Sequence, residues 1–554
     1  MSHQRRPVGF WGQGEPLVWA TGAALALTLA LTGLLLLVVL ANGLTVFWPH
    51  ALVEVQLADG RTLLGEEVDR ERDPETDEPR VKYKTGNREL GEPFVWVDAD
   101  QIVATRYPDD AFKLDRVANL NYYGYLQEVV MPGLDVAVGD TKQQRLTAAI
   151  AEARETYARE VAPLVAQEAT VARQLNDQIK YVLMELEYRR RQYLLEGLQA
   201  DAPQVLALDE HIEELKKQEG RLKDTSHKWT INRLGVEEAL RKKVAVFVDA
   251  SGRQSRIALV DIVRFVCPNR MTVREKVGHY MAKLWELVSA NPREANQDGG
   301  LFPAIFGTVL MVFLMAISCF PLGVLAGIYL GEYAKEGPLV RLVRIAVNNL
   351  AGIPSIVYGI FGLGFFVYIC GGYLDQVFYP ARLDASEPVF GQPCILWASL
   401  TLGLLTIPVV IVSTEEALRT IPRGVSEGSY ALGGTKLQTL WRVLLPMASP
   451  GIMTGFILAM ARAAGEVAPL MITGAVKSAP VPVEGSFPYI HLERQFMHLG
   501  FHIFDISCKA PNVEAVKPMV YVTTLLLLAI VLTMTSLAIW LRNRMRKRFQ
   551  VRAM

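Results

Sequence analysis

The chain has 554 residues, 51% of them hydrophobic, and its 57 basic side chains are matched by 57 acidic ones, so the formal net charge is zero. That balance excludes a global basic field for nucleic acid, and the length exceeds one small domain. The charge is segregated: several runs of about 20 residues, the length needed to cross a bilayer core, are nearly uncharged, whereas 42–300 is charged throughout. This pattern predicts a mainly α, polytopic membrane protein with six transmembrane helices and one large extramembrane domain.

Residues 1–16 carry Arg5 and Arg6 ahead of an unbroken apolar run at 17–41. The run is too long for a signal-peptide core and lacks a small-residue cleavage site, so it reads as a retained first span. The two arginines place the N-terminus in the cytoplasm. From Leu52 to Tyr107 the period becomes two: VEVQL, ADGR and TLLGEEV read as strand, turn and strand, and RVKY, FVWVD and QIVATRY add more. A second β-like piece lies at 244–266. The motif at 53–61 is echoed at 244–253, and that at 97–108 is echoed at 259–268, which predicts two small β units or one shared β-domain.

Between them, Leu146, Ile150, Ala153, Tyr157, Val161 and Leu164, then Leu175, Ile179, Val182 and Leu186, recur at helical spacing. Pro163 is positioned to kink this arm. ADAP at 200–203 reverses the chain, and Val205, Leu208, Ile212, Leu215 and Leu222 mark a return arm. An arm of about 50 residues reaches roughly 75 Å; it reads either as a rigid spacer or as a docking arm for a partner. An amphipathic helix follows, with Val273, Val277, Met281, Leu284 and Val288 on one side.

Five further spans are expected at about 302–330, 340–370, 395–412, 450–474 and 519–541. Lys335, Arg341 and Arg344 follow the first of these, and Arg419, Arg423, Lys436 and Arg442 lie between the third and fourth. The tail at 542–554 carries Arg542, Arg544, Arg546, Lys547, Arg548 and Arg552. The link at 371–392 has Arg382 against Asp375, Asp384 and Glu387. Excess positive charge on the cytoplasmic side then puts both termini in the cytoplasm and the domain at 42–300 outside it.

Two features of 415–474 carry the functional reading. Arg462 and Glu466 are four apart on an expected helix, so they share one face. Charges at membrane depth are costly and face a bundle interior or a cavity, and a guanidinium fork suits phosphate or carboxylate. A structural ion pair is the alternative. Glu427, Gly433, Val443, Leu445 and Pro446 fit E-x-x-x-x-x-G, nine residues, then aliphatic-x-L-P, with Gly433 marking a turn between short helices before an apolar span. This resembles the cytoplasmic coupling loop of ABC-importer permeases, although Gly428 and Ser429 stand where that loop has two alanines.

ARAAGEVAPLMITG at 461–474, the stretch at 429–455, GLFPAIFGTVLMVFLMAISCFPLGVLAGIYLGEYA at 300–334 and NNLAGIPSIVYGIFGLGFF at 348–366 resemble the A-type permease of the bacterial phosphate-specific ABC importer, the PstA family. The resemblance covers about 300–550 and implies a type I permease core at 301–541, with a coupling loop at 413–449, in the bacterial inner membrane. It implies phosphate passage at Arg462 with Glu466 close by, and ATPase coupling through Glu427, Tyr430, Ala431, Leu432, Gly433 and Pro446. The implied partners are a second permease subunit forming a heterodimer, two cytoplasmic ATPase subunits holding ATP and magnesium, and a periplasmic phosphate-binding protein, besides membrane lipid. The domain at 42–300, a periplasmic β-domain carrying a long helical hairpin, departs from the short family form.

The chain carries no P-loop, HExxH or GxSxG motif, which fits a non-catalytic subunit with no cofactor of its own. The five cysteines show no CxxC and no Cys/His ligand spacing, so no metal site is read, and whether Cys394 and Cys508 pair is open. His491, His498 and His502 fall in an outward link and read as an amphipathic segment lying on the permease mouth. A rival reading, a membrane sensor acting through its outer coiled-coil arm, calls for a cytoplasmic signalling domain, whereas a short basic tail follows the last span. A membrane-embedded enzyme calls for a nucleophile–base or metal constellation in the spans, and the sequence offers none.

Overall fold

Alternating apolar residues in the charged region build two five-stranded antiparallel sheets. The computed structural model describes residues 15–550 apart from 73–76, 87–91, 120, 132–140, 294–295, 297, 484–488 and 510–512. Arg5, Arg6 and Arg552 lie outside the described residues. The first sheet holds β1 (Leu52–Leu57), β2 (Thr62–Arg72), β3 (Pro79–Lys84), β4 (Phe94–Asp98) and β5 (Ile102–Arg106), in the order β4-β3-β2-β1-β5. The second holds β6 (Ala111–Arg116), β7 (Tyr122–Val130), β8 (Val244–Val248), β9 (Gln254–Ala258) and β10 (Ile262–Val266), in the order β10-β6-β7-β8-β9.

Counted within each unit, the order is the same: fifth, first, second, third, fourth. A short 3-10 turn joins the fourth strand to the fifth in both, at Ala99–Gln101 and Leu259–Asp261. The echo between 97–108 and 259–268 therefore falls on equivalent elements. The other echo does not, because 53–61 joins first and second strands whereas 244–253 joins third and fourth. Its origin is turn chemistry. Gly60 and Gly252 take φ of +83° and +82°, and Asp59 and Asp249 accept from the backbone two residues on, at Arg61 and Ser251.

The sheets are fastened by a buried polar contact. Glu66 of β2 accepts from Lys113 Nζ at 2.6 Å and from the Tyr123 hydroxyl at 3.0 Å. Burial opposes its charge, but the Lys113 ammonium holds the carboxyl below its usual range. Asn269 ties the ends of both units, accepting from Leu52 N at 2.9 Å and donating to Leu52 O at 2.9 Å and Pro108 O at 2.7 Å.

The helical arm leaves the second unit. Leu146, Ala149, Ile150 and Ala153 pack against Phe112, Leu114, Tyr122 and Phe247. Helix Lys142–Thr156 opens with a capping box of Thr141 and Gln144, and the arm runs on to Leu195 through wide turns at Tyr157–Val161 and Gln174–Lys180. The expected break at Pro163 is absorbed there. The proline enters just after the first wide turn, where Ala162 N bonds to Tyr157 O, so its missing donor costs little. Helix Pro203–Arg241 returns alongside.

This arm touches the permease part of its own chain. Lys180 Nζ lies 2.5 Å from Glu387, Arg191 pairs with Asp384, and helix Tyr181–Leu195 packs on Pro380–Asp384. The arm therefore bridges from the β units to the link between two spans. Exposed ion pairs contribute about 1 kcal/mol or less each.

Among the described residues six helices are long and apolar enough to cross a membrane: Val18–Thr45, Phe302–Tyr333, Ser355–Phe378, Ile395–Arg419, Lys436–Gly465 and Val516–Arg544. Helix Ile395–Arg419 is central, and small residues let its neighbours approach. A Cβ on Gly403 would stand 1.7 Å from Cys319 Sγ, and one on Gly327 would stand 2.8 Å from Ile411 O. The first span meets the last helix at Gly43, against Tyr521 and Leu525.

Two expected spans are divided otherwise. Instead of one helix over 340–370, an amphipathic helix Pro338–Leu350 is followed by a break and then the span from Ser355. Pro354 stands immediately before the second helix, and because the residue before a proline avoids the helical region the two helices do not fuse. Instead of 450–474, a span starts at Lys436 and ends at Gly465. All five cysteines are unpaired, with Cys394 buried and Cys508 exposed.

The link after Ser355–Phe378 is held from beneath. Asp375, fully buried, accepts from the backbone N–H groups of Val389, Phe390 and Gly391 at 2.9, 2.9 and 2.7 Å. Asp375→Ala leaves one buried and two part-buried backbone donors unpaired and is expected to cost about 3 kcal/mol, measured as a lower melting temperature of the purified chain. An unchanged melting temperature would show that the link relaxes to water.

Candidate substrate path and coupling surface

Arg462 sits in the last turn of helix Leu445–Gly465, where a cation suits the negative end of the helix dipole. Glu466 is not on that helix: it caps it in an extended conformation, φ −80° and ψ 128°. The expected shared helical face is thus replaced by a pair across a helix end. Arg462 Nε still reaches Glu466 Oε1 at 3.4 Å, and the two side chains are 34% and 21% exposed. A single long contact leaves most of the guanidinium fork for an anion.

The chain resumes as a short helix Ala468–Thr473, which ends at Gly474 with φ +152°, against the backbone of Cys394. The short helix that follows the break at 466–467 packs on the helix that follows the break at 351–354. A Cβ on Gly359 would stand 2.8 Å from Pro469 Cα, and the Tyr358 hydroxyl donates to Leu350 O at 2.7 Å across its own break. Interrupted helices at membrane depth are tolerated where they line a cavity or are buried in protein. Here two of them converge beside an arginine.

A third segment completes this region. Phe496, Met497, His498, Leu499, Phe501 and His502 are buried, contrary to the expectation of a segment lying on the surface. Leu499 N donates to Thr308 Oγ1 at 3.0 Å, a Cβ on Gly307 would stand 2.1 Å from Met497 O, and Gly500 packs on Val467. Small residues admit this backbone between spans, so hydropathy alone missed it. His498 Nδ1 accepts from Gly500 N and Phe501 N at 3.1 and 3.4 Å, capping helix Leu499–Lys509. His491, by contrast, meets Glu493 at 2.9 Å.

Burial pushes the pKa of His498 down to about 3 and that of His502 down to about 4. Beyond His502, Asp505 pairs with Lys477 and Lys509 at 3.5 Å each. Because both imidazoles titrate below the ordinary 6.5, the unfolded chain binds more protons in acid. The stability they contribute is full above the ordinary value and is lost as pH falls from there toward about 4. The melting temperature is expected to drop between about pH 7.5 and pH 5, and His502→Leu to reduce that drop. Equal acid sensitivity in the variant would assign the effect elsewhere.

The candidate coupling residues form a helix–turn–helix. Helix Arg423–Ala431 contains Glu427, Tyr430 and Ala431. Leu432 and Gly433 turn the chain, with Gly433 at φ +84°, and Thr435 caps the next helix with Gln438. Ser429 Oγ and Thr439 Oγ1, 2.8 Å apart, tie the helices together. Leu432 is 91% exposed, and Tyr430, Leu437 and Trp441 are exposed beside it. Pro446 does not end a helix: a wide turn at Leu440–Leu444 precedes it, and the helix continues to Gly465.

At the base of this unit lies a cluster that spacing did not single out. Glu415, mostly buried, meets Arg344 Nε at 2.8 Å and Arg419 at 2.7 Å, and Arg344 also meets Glu336 at 2.8 Å. These charges join Pro338–Leu350 to the end of Ile395–Arg419. Among the described residues no group of three or more His, Cys, Asp or Glu side chains is placed to hold a metal ion.

Residues 323–547 match the family described as "Binding-protein-dependent transport system inner membrane component". The probable ABC transporter permease protein YqgI of Bacillus subtilis is 30% identical over 226 residues, 39% of this chain and 70% of that protein. The phosphate transport system permease protein PstA of Mycobacterium leprae is 37% identical over 174 residues, 31% of this chain and 51% of that protein. The probable PstA of Methanocaldococcus jannaschii is 34% identical over 176 residues, 32% of this chain and 55% of that protein. The chain thus spans about half the length of the PstA relatives it matches. Its region before about residue 300 lies outside the family match. With six membrane-length helices and a relative matched over more than two thirds of its length, the chain belongs to the binding-protein-dependent transport family of inner-membrane ABC permeases.

Proposed function

We propose that the chain is the A-type permease subunit of an ATP-driven inorganic phosphate importer. The observation that carries this reading is Arg462, in contact with Glu466 at a helix end beside the packed helices Ser355–Phe361 and Ala468–Thr473. An arginine fork there matches a phosphate oxyanion, and relatives at 34–37% identity carry the name of phosphate permeases. The chain would form the path with a second permease subunit, two cytoplasmic ATPase subunits and a periplasmic phosphate-binding protein.

In this reading both termini and the coupling segment at 413–449 face the cytoplasm, which follows from the excess of Lys and Arg there. The β units and the helical arm then stand in the periplasm, the arm resting on the link 380–387. ATP binding and hydrolysis on the partners move the coupling helices, and the spans expose Arg462 to one side and then the other. Glu466 neutralises the guanidinium between substrates.

The test is reconstitution of the complete complex in proteoliposomes. ATP-dependent accumulation of radiolabelled phosphate, competed by unlabelled phosphate and not by sulfate, is expected. ATP-driven transport of another solute with phosphate ignored would overturn the substrate, and absence of any associated ATPase would overturn the class.

A further inference from the structure

Helix Val273–Ser289 is inside out. Its charged face is packed inward: Lys283 lies 2.6 Å from Asp115 of β6, Glu286 meets Arg264 at 3.4 Å and Arg293 at 2.5 Å, and all these groups are largely buried. Its apolar face is bare. Val273, Val277, Met281, Trp285 and Val288 form one exposed stripe at helical spacing, with Trp285 71% exposed. In a soluble domain the polarity would be reversed, since burying charge against a sheet while showing apolar surface to water loses on both counts.

The position of the helix identifies what covers the stripe. Trp48, three residues beyond the outer end of the first span, packs against Tyr280 with ring centroids 6.4 Å apart. Thirteen residues after Ser289 the second span begins at Phe302. Leu287, on the inner side, packs with Leu301 and Ala304 at the head of that span, with Phe47 alongside. The helix thus stands beside the ends of two spans, where they would leave the bilayer. Tryptophan and tyrosine at that level are what a membrane–water boundary favours.

We propose that helix Val273–Ser289 lies in the membrane interface, with Val277, Met281, Trp285 and Val288 in the acyl-chain boundary of the leaflet from which the β units project. The partner is phospholipid, and the contact seats the extramembrane domain on the bilayer beside the first and second spans. Arg274, exposed near the helix start, is available to a headgroup phosphate. The inference is independent of the transported solute.

The test uses the full chain in nanodiscs of phosphatidylethanolamine and phosphatidylglycerol, doped with a phospholipid carrying a diazirine on an upper acyl carbon. After irradiation, adducts are mapped by tandem mass spectrometry. Adducts are expected on Val277, Met281, Trp285 and Val288 at yields within about tenfold of those on the first span, since such helices sit some 5–10 Å deep. Lys276, His279 and Lys283 are expected to carry none. Adducts on the first span with none on this helix would overturn the proposal, whether water or another protein covers the stripe.

Discussion

Replacing Arg462 with alanine is expected to lower phosphate uptake by about a hundredfold, with the assembled complex still recovered at normal yield. The size follows from what the guanidinium supplies. Truncating one partner of a buried charge-assisted contact costs about 2–5 kcal/mol, and each 1.4 kcal/mol is about tenfold. Arg462 sits where helix Leu445–Gly465 ends and its neighbour resumes, partly open and tethered to Glu466 at 3.4 Å. In the proposed importer, a phosphate arriving there would replace a weak contact with a bidentate one. Arg462→Lys keeps the charge and loses the fork, so its uptake should fall nearer to alanine than to wild type. Glu466→Gln separates the roles: if Glu466 only neutralises the empty site, that variant binds phosphate more tightly and releases it more slowly. Normal uptake by Arg462→Ala with the ATPase subunits still bound would remove the residue from the path, and Arg462 and Glu466 would remain a structural pair.

The pair was legible in the sequence because two opposite charges inside an apolar run have few explanations. The break between them was less legible. Gly465 and Pro469 flank Glu466, but prolines at 321, 408 and 450 lie inside helices that continue. At Pro163 and Pro446 a wide turn just upstream absorbs the missing donor, so a proline's effect depends on geometry that composition does not encode. The same limit hid the buried segment around His498, whose depth is set by Gly307 and Thr308 meeting Met497 and Leu499 across nearly 200 residues of chain.

The β units show the opposite balance. Period-two patterning located β1 to β5 and β8 to β10 but missed β6 and β7, and the echo of 97–108 in 259–268 marked a repeat that shared strand order now explains. The echo of 53–61 in 244–253 marked only a common solution to a tight turn. A short match therefore indicates homologous position only when the elements around it pair alike. The contacts of the arm could not be read at all, because Lys180–Glu387 and Arg191–Asp384 join ordinary surface charges more than 190 residues apart.

Leu432→Asp is expected to abolish recovery of ATPase subunits with the permease while leaving the permease folded. Leu432 is 91% exposed at the tip of the turn between Arg423–Ala431 and the helix that becomes the span Lys436–Gly465. Among the described residues no packing explains a leucine so exposed, and Tyr430, Leu437 and Trp441 extend the apolar surface around it. A rigid tip of this kind, braced by Ser429–Thr439 and by the charge cluster on Glu415, fits a cleft on a soluble subunit. Central apolar anchors carry most of an interface's energy, commonly about 2 kcal/mol or more each, and an aspartate in the cleft adds an unpaired buried charge. Gly433→Val is the companion variant. It leaves Leu432 in place but forces a β-branched side chain toward φ +84°, so the tip is displaced rather than recharged. Loss of the ATPase subunits in both variants, with unchanged melting of the permease alone, places docking at this turn. If Leu432→Asp still recovers them in full, the turn is an ordinary interfacial loop and force must enter the spans elsewhere.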